Sequence, residues 1–295
     1  GNERVIITVE DLLPNKVFFQ KNKVGPSKFT AKVFSQRGPY SIPHVIEQMK
    51  DGIFYLSFTK FKRIPLFSVI KALGMMKDQE IMEAICDEKE YDDVYINLYN
   101  SMEIQDKDDA MEFIAKKIGL TQPREVKIEK TQGQQDHYLL PHMGITSKER
   151  NLKAHHLCKL VKRFLQVAKD GKKGTDKDHY KSKKLKLSGE LLSDLFRVNM
   201  RVLVNDVLYN FQRLVKRGKF QSVKIIIRDK LLTSRLNSAI ATGSWVGGRR
   251  GISQNIARVN YLDTMSHLSR VVSLLSATQE NFDAREIHST HWDRL

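Results

Sequence analysis

The longest regular pattern in the sequence covers residues 187–217, where apolar residues return at steps of three and four. This spacing places them on one face of an α-helix and predicts a long amphipathic helix. Lys216 and Arg217 put cations in the last turn, and Gly218 follows them, which is typical of a helix end. The apolar positions are Leu191, Leu195, Val198, Val202, Leu203, Val207, Phe211 and Leu214.

Shorter patterns before and after this helix predict a mixture of strands and helices. Strands are predicted at residues 5–9, 16–20, 30–35 and 53–58. Helices are predicted at residues 42–49, 65–73, 147–169 and 231–241, with three acidic helices within 78–119. Residues 121–144 are predicted to be irregular, and residues 221–229 to be a short strand or a buried extended piece. The predicted fold class is α+β, multi-domain, with mixed helices and short antiparallel sheets.

The charge of the chain is basic and unevenly distributed. There are 50 Lys and Arg against 34 Asp and Glu, a net charge of +16. Such an excess favours a polyanionic partner because cations neutralise phosphates, although a soluble basic surface has the same composition. Acids dominate residues 78–112, and cations dominate after Lys148. We therefore expect one face to meet nucleic acid and an acidic face to meet water or a basic protein.

The length and the apolar content limit what the chain can be. At 295 residues it is long enough for two or three units with their own cores. A run of about 18 apolar residues is absent, so no membrane partner is expected. Cys86 and Cys158 are far apart and indicate reduced thiols in an intracellular protein. A start at Gly1, directly before a strand-like run, suggests an excerpt of a longer polypeptide.

Sequence motifs for catalysis or metal binding are not found, so no catalytic and no metal-binding residue is assigned. There is no glycine-rich nucleotide fingerprint, no phosphate-binding loop and no nucleophile elbow. His155 with Cys158, Asp176 with Asp178, and His288 with His291 are spaced like partial metal sites. Each pair has no further ligand nearby, so structural roles are the better interpretation. We expect no polymerising activity from this chain alone.

The stretch 241–270 combines glycines, arginines and polar side chains. Gly243, Gly247, Gly248 and Gly251 permit backbone angles and close approaches that a side chain would prevent. Arginines there can fork onto phosphate oxygens, and amides can bond phosphate or sugar. The alternative is a glycine-rich surface loop followed by an ordinary helix. The candidate nucleic-acid contacts are Arg249, Arg250, Gln254, Asn260, His267 and Arg270, with Lys183 and Lys184 as further phosphate contacts.

Three blocks of sequence, in order, resemble the second-largest subunit of multisubunit RNA polymerases, in the form shared by archaea and eukaryotes. The last block departs from the family at Asp293, where glycine is usual. The loop Gly247-Gly248-Arg249 is shorter than in eukaryotic relatives, which favours an archaeal source. The matching residues are Ala72-Leu73-Gly74 with Glu80-Ile81 and Ile85-Cys86; Asp176 to Tyr180 with Lys183, Leu185 and Leu187; and Ala241-Thr242-Gly243, Trp245, Gly251 to Gln254, Tyr261, Ser266-His267-Leu268, Arg270 and Thr290-His291-Trp292.

The resemblance implies a domain map. Residues 1–11 would end the first protrusion segment, and residues 12–178 would form the lobe. Residues 179–241 would return to the protrusion, and residues 242–295 would begin the fork beside the RNA–DNA hybrid. Residues 274–284 match a loop that faces downstream DNA.

The resemblance also implies partners. These are the largest RNA polymerase subunit, other core subunits, template DNA, the RNA–DNA hybrid and general transcription factors. Mg²⁺ would belong to the assembled enzyme and be bound mainly by the largest subunit, with no cofactor in this fragment. The location would be cytoplasmic in an archaeon and nuclear in a eukaryote. A stand-alone nucleic-acid-binding protein and an assembly scaffold are the alternatives.

Overall fold

The computed structural model describes residues 1–22, 25–86, 89–218, 222–273 and 288–292. The chain divides into two units. The larger unit contains Leu13–Arg37 and Ser41–Ser182, and the smaller unit contains Gly1–Leu12, Gly38–Tyr40 and Lys183–Leu295. The mixture of helices and short, mainly antiparallel sheets confirms the predicted α+β class. The names lobe, protrusion and fork for these segments stay predictions.

The strands of the described residues are numbered in chain order. They are β1 (Arg4–Ile6), β2 (Thr8–Leu12), β3 (Val17–Lys21), β4 (Phe29–Arg37), β5 (Tyr40–Gln48), β6 (Phe54–Phe58), β7 (Phe61–Pro65), β8 (Lys183–Lys186), β9 (Ser253–Asn255) and β10 (Val271–Ser273).

The helices are numbered in the same way. They are α1 (Leu66–Ala72), α2 (Asp78–Ile85), α3 (Asp92–Asn100), α4 (Lys107–Ile118), α5 (Arg124–Tyr138), α6 (Arg150–Ala168), α7 (Ser188–Lys216), α8 (Val223–Ile226), α9 (Asp229–Thr242), α10 (Tyr261–Leu268) and α11 (Ser289–Trp292). Among the described helices, none has the length and apolar character needed to cross a membrane.

The larger unit is built on a five-stranded sheet in the order β3-β4-β5-β6-β7. Strand β6 alternates strictly, and its buried residues Phe54, Leu56 and Phe58 face the core. Helix α1 is buried along its whole length, as its run of apolar residues predicts. Phe164 of α6 meets Phe54 edge-to-face, with ring centroids 5.3 Å apart. One continuous core therefore joins the sheet to α1 and α6.

Two predicted elements of the larger unit are wrong. Residues 42–49 form strand β5, not a helix, because Ile46 pairs with Leu56 of β6 and is buried between its neighbours. Residues 121–144 contain the helix α5 and are not irregular throughout. Its buried face carries the polar residues Thr131 and Gln135, so the apolar periodicity that identifies a helix is missing.

The three acidic helices are confirmed as α2, α3 and α4. All but one of their carboxylates are exposed or partly exposed, as predicted for a solvated face. Asp93 is the exception, because it is buried and forms an ion pair with Lys169. Whether this face avoids nucleic acid stays a prediction.

Helix α6 follows its prediction in position, and its Leu160 and Phe164 are buried. Leu152 is 55 % exposed, whereas the next residue, Lys153, is fully buried. Its Nζ donates to the carbonyl oxygen of Asp136 at 2.9 Å, which satisfies the amine inside the core. Burial lowers the pKa of Lys153 to about 8, against the attraction of Asp136.

The smaller unit joins distant parts of the chain. Strand β1 pairs antiparallel with β9, and β2 lies between β10, which is parallel to it, and β8, which is antiparallel. The predicted long helix is confirmed as α7. Residues 223–226 form the short helix α8 instead of an extended piece, and only its Ile226 is buried. The small core consists of Val9, Leu191, Leu195, Trp245 and Ile252.

Candidate nucleic-acid interface

The glycine-rich loop begins where α9 ends at Gly243. Gly243 has φ 71°, the left-handed conformation that closes many helices, and its amide donates to the carbonyl of Ala239 at 2.9 Å. A Cβ at this position would lie 2.7 Å from the carbonyl oxygen of Ser253, closer than such atoms approach. Glycine is therefore required both by the backbone angle and by the close approach of β9.

Trp245 fixes the loop to the core of the smaller unit. Its ring is buried, and its Nε1–H donates to the carbonyl of Leu191 on α7 at 2.8 Å. Its backbone amide donates to the carbonyl of Arg249 at 2.8 Å and closes a tight loop. Gly247 and Gly248 lie within that loop, both in the left-handed region. The loop is thus a folded element held from inside.

The two neighbouring arginines differ in environment. Arg249 forms an ion pair with Asp11 of β2, and both side chains are largely screened from solvent. Arg250 is exposed and makes no side-chain hydrogen bond or ion pair with the described residues. A phosphate contact by Arg249 would compete with an existing carboxylate, so the loop presents Arg250 as its available guanidinium.

Gln254 and His267 form a hydrogen-bonded relay within the unit. The amide of Ala257 donates to Nδ1 of His267 at 3.0 Å, which leaves the proton of the neutral ring on Nε2. That Nε2 donates to Oε1 of Gln254 at 3.0 Å, and Nε2 of Gln254 donates to the carbonyl of Gly251 at 3.0 Å. The relay connects α10 through β9 to the end of the glycine-rich loop.

The relay gives His267 a role inside the protein. The residue is only 3 % exposed, which disfavours the predicted contact to nucleic acid, and that contact stays a prediction. Both nitrogens are used inside the protein, and the residue positions the loop. Gln254 is partly exposed, but both ends of its amide are already engaged. Its predicted contact to a phosphate stays untested and would have to share these atoms.

Asn260 and Arg270 lie at opposite ends of α10. The Asn260 side chain accepts a hydrogen bond from the amide of Asp263 at 2.7 Å, which is the role of a helix N-cap. Arg270 is exposed and, like Arg250, has no side-chain partner among the described residues. The geometry explains Asn260 through helix capping and leaves Arg270 available to a ligand.

Lys183 and Lys184 are both engaged in ion pairs. Lys183 lies 2.6 Å from Glu10, and both side chains are nearly buried. Lys184 lies 2.9 Å from Glu190 in a more exposed position. A buried charge pair is costly to separate, so a phosphate contact by Lys183 is disfavoured. The contact proposed for Lys184 stays a prediction.

The residue pairs spaced like partial metal sites are assigned structural roles, and among the described residues no cluster of three metal-ligating side chains occurs. Cys158 is buried 3.8 Å from the sulfur of Met75, and burial raises its pKa to about 12, whereas His155 is exposed. Asp176 accepts from the amide of Asp178 at 2.9 Å, as in a turn. The side chain of His291, residue Asp293 and the loop 274–284 lie outside the described residues.

Sequence reasoning missed the residues that hold the site together. Asp11, 238 positions before Arg249, neutralises that arginine, and Leu191 accepts the Trp245 indole. Such partners come from remote segments, so local spacing contains no information about them. The buried Trp245 in a polar, glycine-rich stretch was the one local indication that the loop is anchored.

We expect His267→Leu to cost about 2 kcal/mol of unfolding free energy, because it leaves the Ala257 amide and the Gln254 carbonyl oxygen without their partner. Urea unfolding followed by Trp fluorescence measures this cost. Arg270→Ala, on the same helix but exposed, should change stability by no more than about 0.5 kcal/mol. Equal effects of the two substitutions would show that the relay contributes nothing.

Two family models match the sequence. The model described as RNA polymerase Rpb2, domain 2, matches residues 7–186, which is more than half of the chain. The model described as RNA polymerase Rpb2, domain 3, matches residues 254–295, which include α10 and the last two residues of β9. The first match includes the whole of the larger unit, and the second includes Gln254, His267 and Arg270.

Proteins that are similar over the whole of this chain come from several archaea, as expected for an archaeal-type sequence. The DNA-directed RNA polymerase subunit Rpo2 of Saccharolobus solfataricus is 39 % identical over all of this chain, which covers 26 % of that relative. Subunits Rpo2N of Methanocaldococcus jannaschii and Halobacterium salinarum are 38 % and 35 % identical, again over all of this chain. The chain spans 60 % and 58 % of those two relatives.

Proposed function

This chain belongs to the RNA polymerase Rpb2 family, and we propose that it works as part of the core of a DNA-directed RNA polymerase. In that assembly it helps to shape the DNA cleft and contacts the backbone of the RNA–DNA hybrid. Its partners are the largest subunit, other core subunits, template DNA and the hybrid, with transcription factors and ribonucleotides as further ligands. An archaeal enzyme of this kind would be cytoplasmic.

The observation that supports a nucleic-acid contact is that some arginines form ion pairs within the protein and others do not. In the smaller unit Arg249 and Arg258 are paired with Asp11 and Glu3. Arg250 and Arg270 are exposed and have no side-chain partner within the described ranges. The relay through His267 and the Trp245 anchor hold the backbone of both segments. Preorganised, unpaired guanidinium groups are suited to phosphate oxygens.

The contact should position the hybrid without reading its sequence. Phosphate contacts fix register and orientation but contain no information about bases. The exposed groups here are cations, whereas the amides of Gln254 and Asn260 already bond to protein atoms. We therefore expect this surface to act equally on every template.

The chemistry of nucleotide addition is not assigned to these residues. Mg²⁺ needs oxygen ligands that converge, and among the described residues no three such side chains come together. In the assembled enzyme Mg²⁺ would be held mainly by the largest subunit, and this chain would contribute binding and orientation.

We expect Arg250→Ala in the assembled polymerase to shorten the lifetime of the elongation complex and to lower the slope of log affinity against log salt by about one unit. The reason is the loss of one phosphate contact and of the counterion release that accompanies it. Arg250→Lys should restore part of the lifetime, because the charge returns without the planar fork.

Complex lifetime against salt concentration, on two unrelated templates, measures this effect. Lys116→Ala is the matched control, since it removes an exposed cation from the acidic helix α4. It should leave the salt slope unchanged. An unaltered slope for Arg250→Ala, or a defect confined to one template, would remove Arg250 from the nucleic-acid site.

A further inference from the structure

We propose that the exposed apolar face of α3, with the pocket beside it, is a docking surface for a basic protein segment that has apolar anchors. The proposal concerns the larger unit and does not depend on the nucleic-acid contact of the smaller one. The docking surface is defined by the side chains Tyr95, Ile96, Tyr99 and Met102 and by the pocket residue Glu103.

The inner side of helix α3 is attached to the rest of the larger unit, which holds its outer side in place. Asn97 is buried, accepts the Phe54 amide at 2.8 Å, and donates to the carbonyl of Gly52 at 3.0 Å. Val94 and Leu98 are buried on the same side. This attachment to the β5–β6 hairpin leaves the opposite side of α3 exposed. A partner can bind there without the loss of conformational entropy that ordering a flexible segment would cause.

The outer face is unusually apolar for a solvated helix. Tyr99 is 78 % exposed and Met102 is 61 % exposed, and both Tyr95 and Ile96 are also exposed. Residues three and four apart lie next to each other on a helix, so Tyr95, Ile96 and Tyr99 form one stripe on α3, and Met102 follows it in the turn after the helix. Tyrosine and methionine are enriched where proteins bind one another, because they give a large contact area.

A pocket of about 200 Å³ adjoins this stripe at the C-terminal end of α3. Its walls include Ile104 and Phe113, which are apolar, and Glu103, which is exposed. Asp109, Glu112 and Lys116 also line the pocket, but Arg124 pairs with both carboxylates and Lys116 pairs with Glu112. Glu103 has no ion pair among the described residues, so the pocket is suited to a lysine or arginine of the partner. The methylene groups of that side chain would pack on the apolar walls, and its cation would pair with Glu103.

The surrounding charge selects the class of partner. From Glu90 to Asp109 the sequence has seven carboxylates, against the single cation Lys107. Phosphates would be repelled, which excludes nucleic acid. A second copy docked by the same face would bring two acidic rims together. A basic protein segment would be attracted by the carboxylates and would bury apolar side chains against the stripe. Because the surface consists of only a few side chains, we expect a weak, transient complex.

The test measures binding of the 295-residue chain to a short fluorescein-labelled peptide that alternates Leu, Phe and Arg. Fluorescence anisotropy gives the Kd. Tyr99→Ser with Met102→Ser should raise the Kd about tenfold, since both residues are exposed and their loss leaves the fold intact. Glu103→Gln should raise it about threefold and reduce its salt dependence.

Two controls distinguish binding at the docking surface from nonspecific binding of the peptide. Tyr138→Ser removes an aromatic residue of α5 in the same unit that is 45 % exposed, and it should leave the Kd unchanged. A matched peptide with Glu in place of each Arg should not bind. Equal binding of that peptide, or an unchanged Kd for the Tyr99 and Met102 double variant, would overturn the proposal. Binding of labelled duplex DNA to the chain that is lost in the Tyr99 and Met102 double variant would overturn it as well, and so would self-association of the chain through this surface.

Discussion

Gly243→Ala is expected to lower the unfolding free energy of the smaller unit by about 3 kcal/mol. The left-handed angle of 71° costs an alanine about 1 kcal/mol. The added Cβ would also lie 2.7 Å from the carbonyl oxygen of Ser253, which is a backbone atom. Relief of that overlap requires β9 to move away from β1, because Ser253 pairs with Ile6. The strain therefore spreads into the sheet that holds the glycine-rich loop.

Gly247→Ala is the matched control for this prediction. Gly247 has a similar angle of 80°, but a Cβ there would meet nothing within 4 Å. It should cost only about 1 kcal/mol, the conformational part. Urea unfolding followed through the fluorescence of the buried Trp245 reports on this unit. Equal losses for the two variants would mean that the close approach to Ser253 is unimportant.

The larger unit is expected to lose about 3 kcal/mol of stability as the pH falls from about 6.5 to about 4. The cause is His44, which is buried in β5. Burial lowers its pKa to about 4, against two backbone hydrogen bonds and with help from the charges of His142 and Lys153. The unfolded chain takes up a proton near pH 6.5, whereas the folded chain resists it until about pH 4. Stability is therefore complete above pH 6.5 and is lost through this interval.

Burial, and not hydrogen bonding, explains why the neutral ring of His44 is preferred. Nε2 has two backbone neighbours at 3.1 Å, the amide of Leu140, which is a donor, and the carbonyl of Tyr138, which is an acceptor. In the neutral ring with the proton on Nδ1, Nδ1 donates to the carbonyl of Ile42 at 3.0 Å and Nε2 accepts from Leu140. Protonation of Nε2 would direct it to the Tyr138 carbonyl and remove the acceptor of the Leu140 amide. The nearby pKa values of His142 and His156 are also lowered by burial, which adds to the same acid dependence.

His44→Gln separates this histidine from the other titrating groups. Glutamine keeps an acceptor and a donor but does not titrate, so the variant should be less stable at pH 7 and lose less on acidification. Urea unfolding at several pH values measures both quantities, with His155→Gln, an exposed histidine of α6, as the control. A variant with the same pH profile as the parent chain would contradict the role of His44.

The sequence predicts elements in which apolar residues recur at regular spacing. Helix α7, the acidic helices and most strands of the larger unit follow from spacing alone. Helix α5 does not, because its buried positions are Thr131 and Gln135 and its start at Pro123 resembles a break. Strand β5 does not, because its strand character comes from pairing with β6 and not from its own residues.

The candidate site shows the same limit. Composition and resemblance point to one stretch of the sequence, and the roles within it depend on remote partners. Arg249 and Arg250 are adjacent and chemically identical, yet only Arg249 meets Asp11. The side chain of His267 is of a type common in binding sites, but it is buried like a core residue. Three-dimensional contacts decide which polar side chains are used inside the protein and which are left for a ligand.

The most direct measurement of the central claim is site-specific photo-crosslinking in a stalled elongation complex of the assembled polymerase. A crosslinking side chain replaces Arg250 in one enzyme and the exposed Asp108 of α4 in another. We expect the probe at position 250 to crosslink to RNA or template DNA of the hybrid on every template, and the probe at position 108 to give no nucleic-acid product. No product from position 250, with the complex otherwise active, would contradict the account.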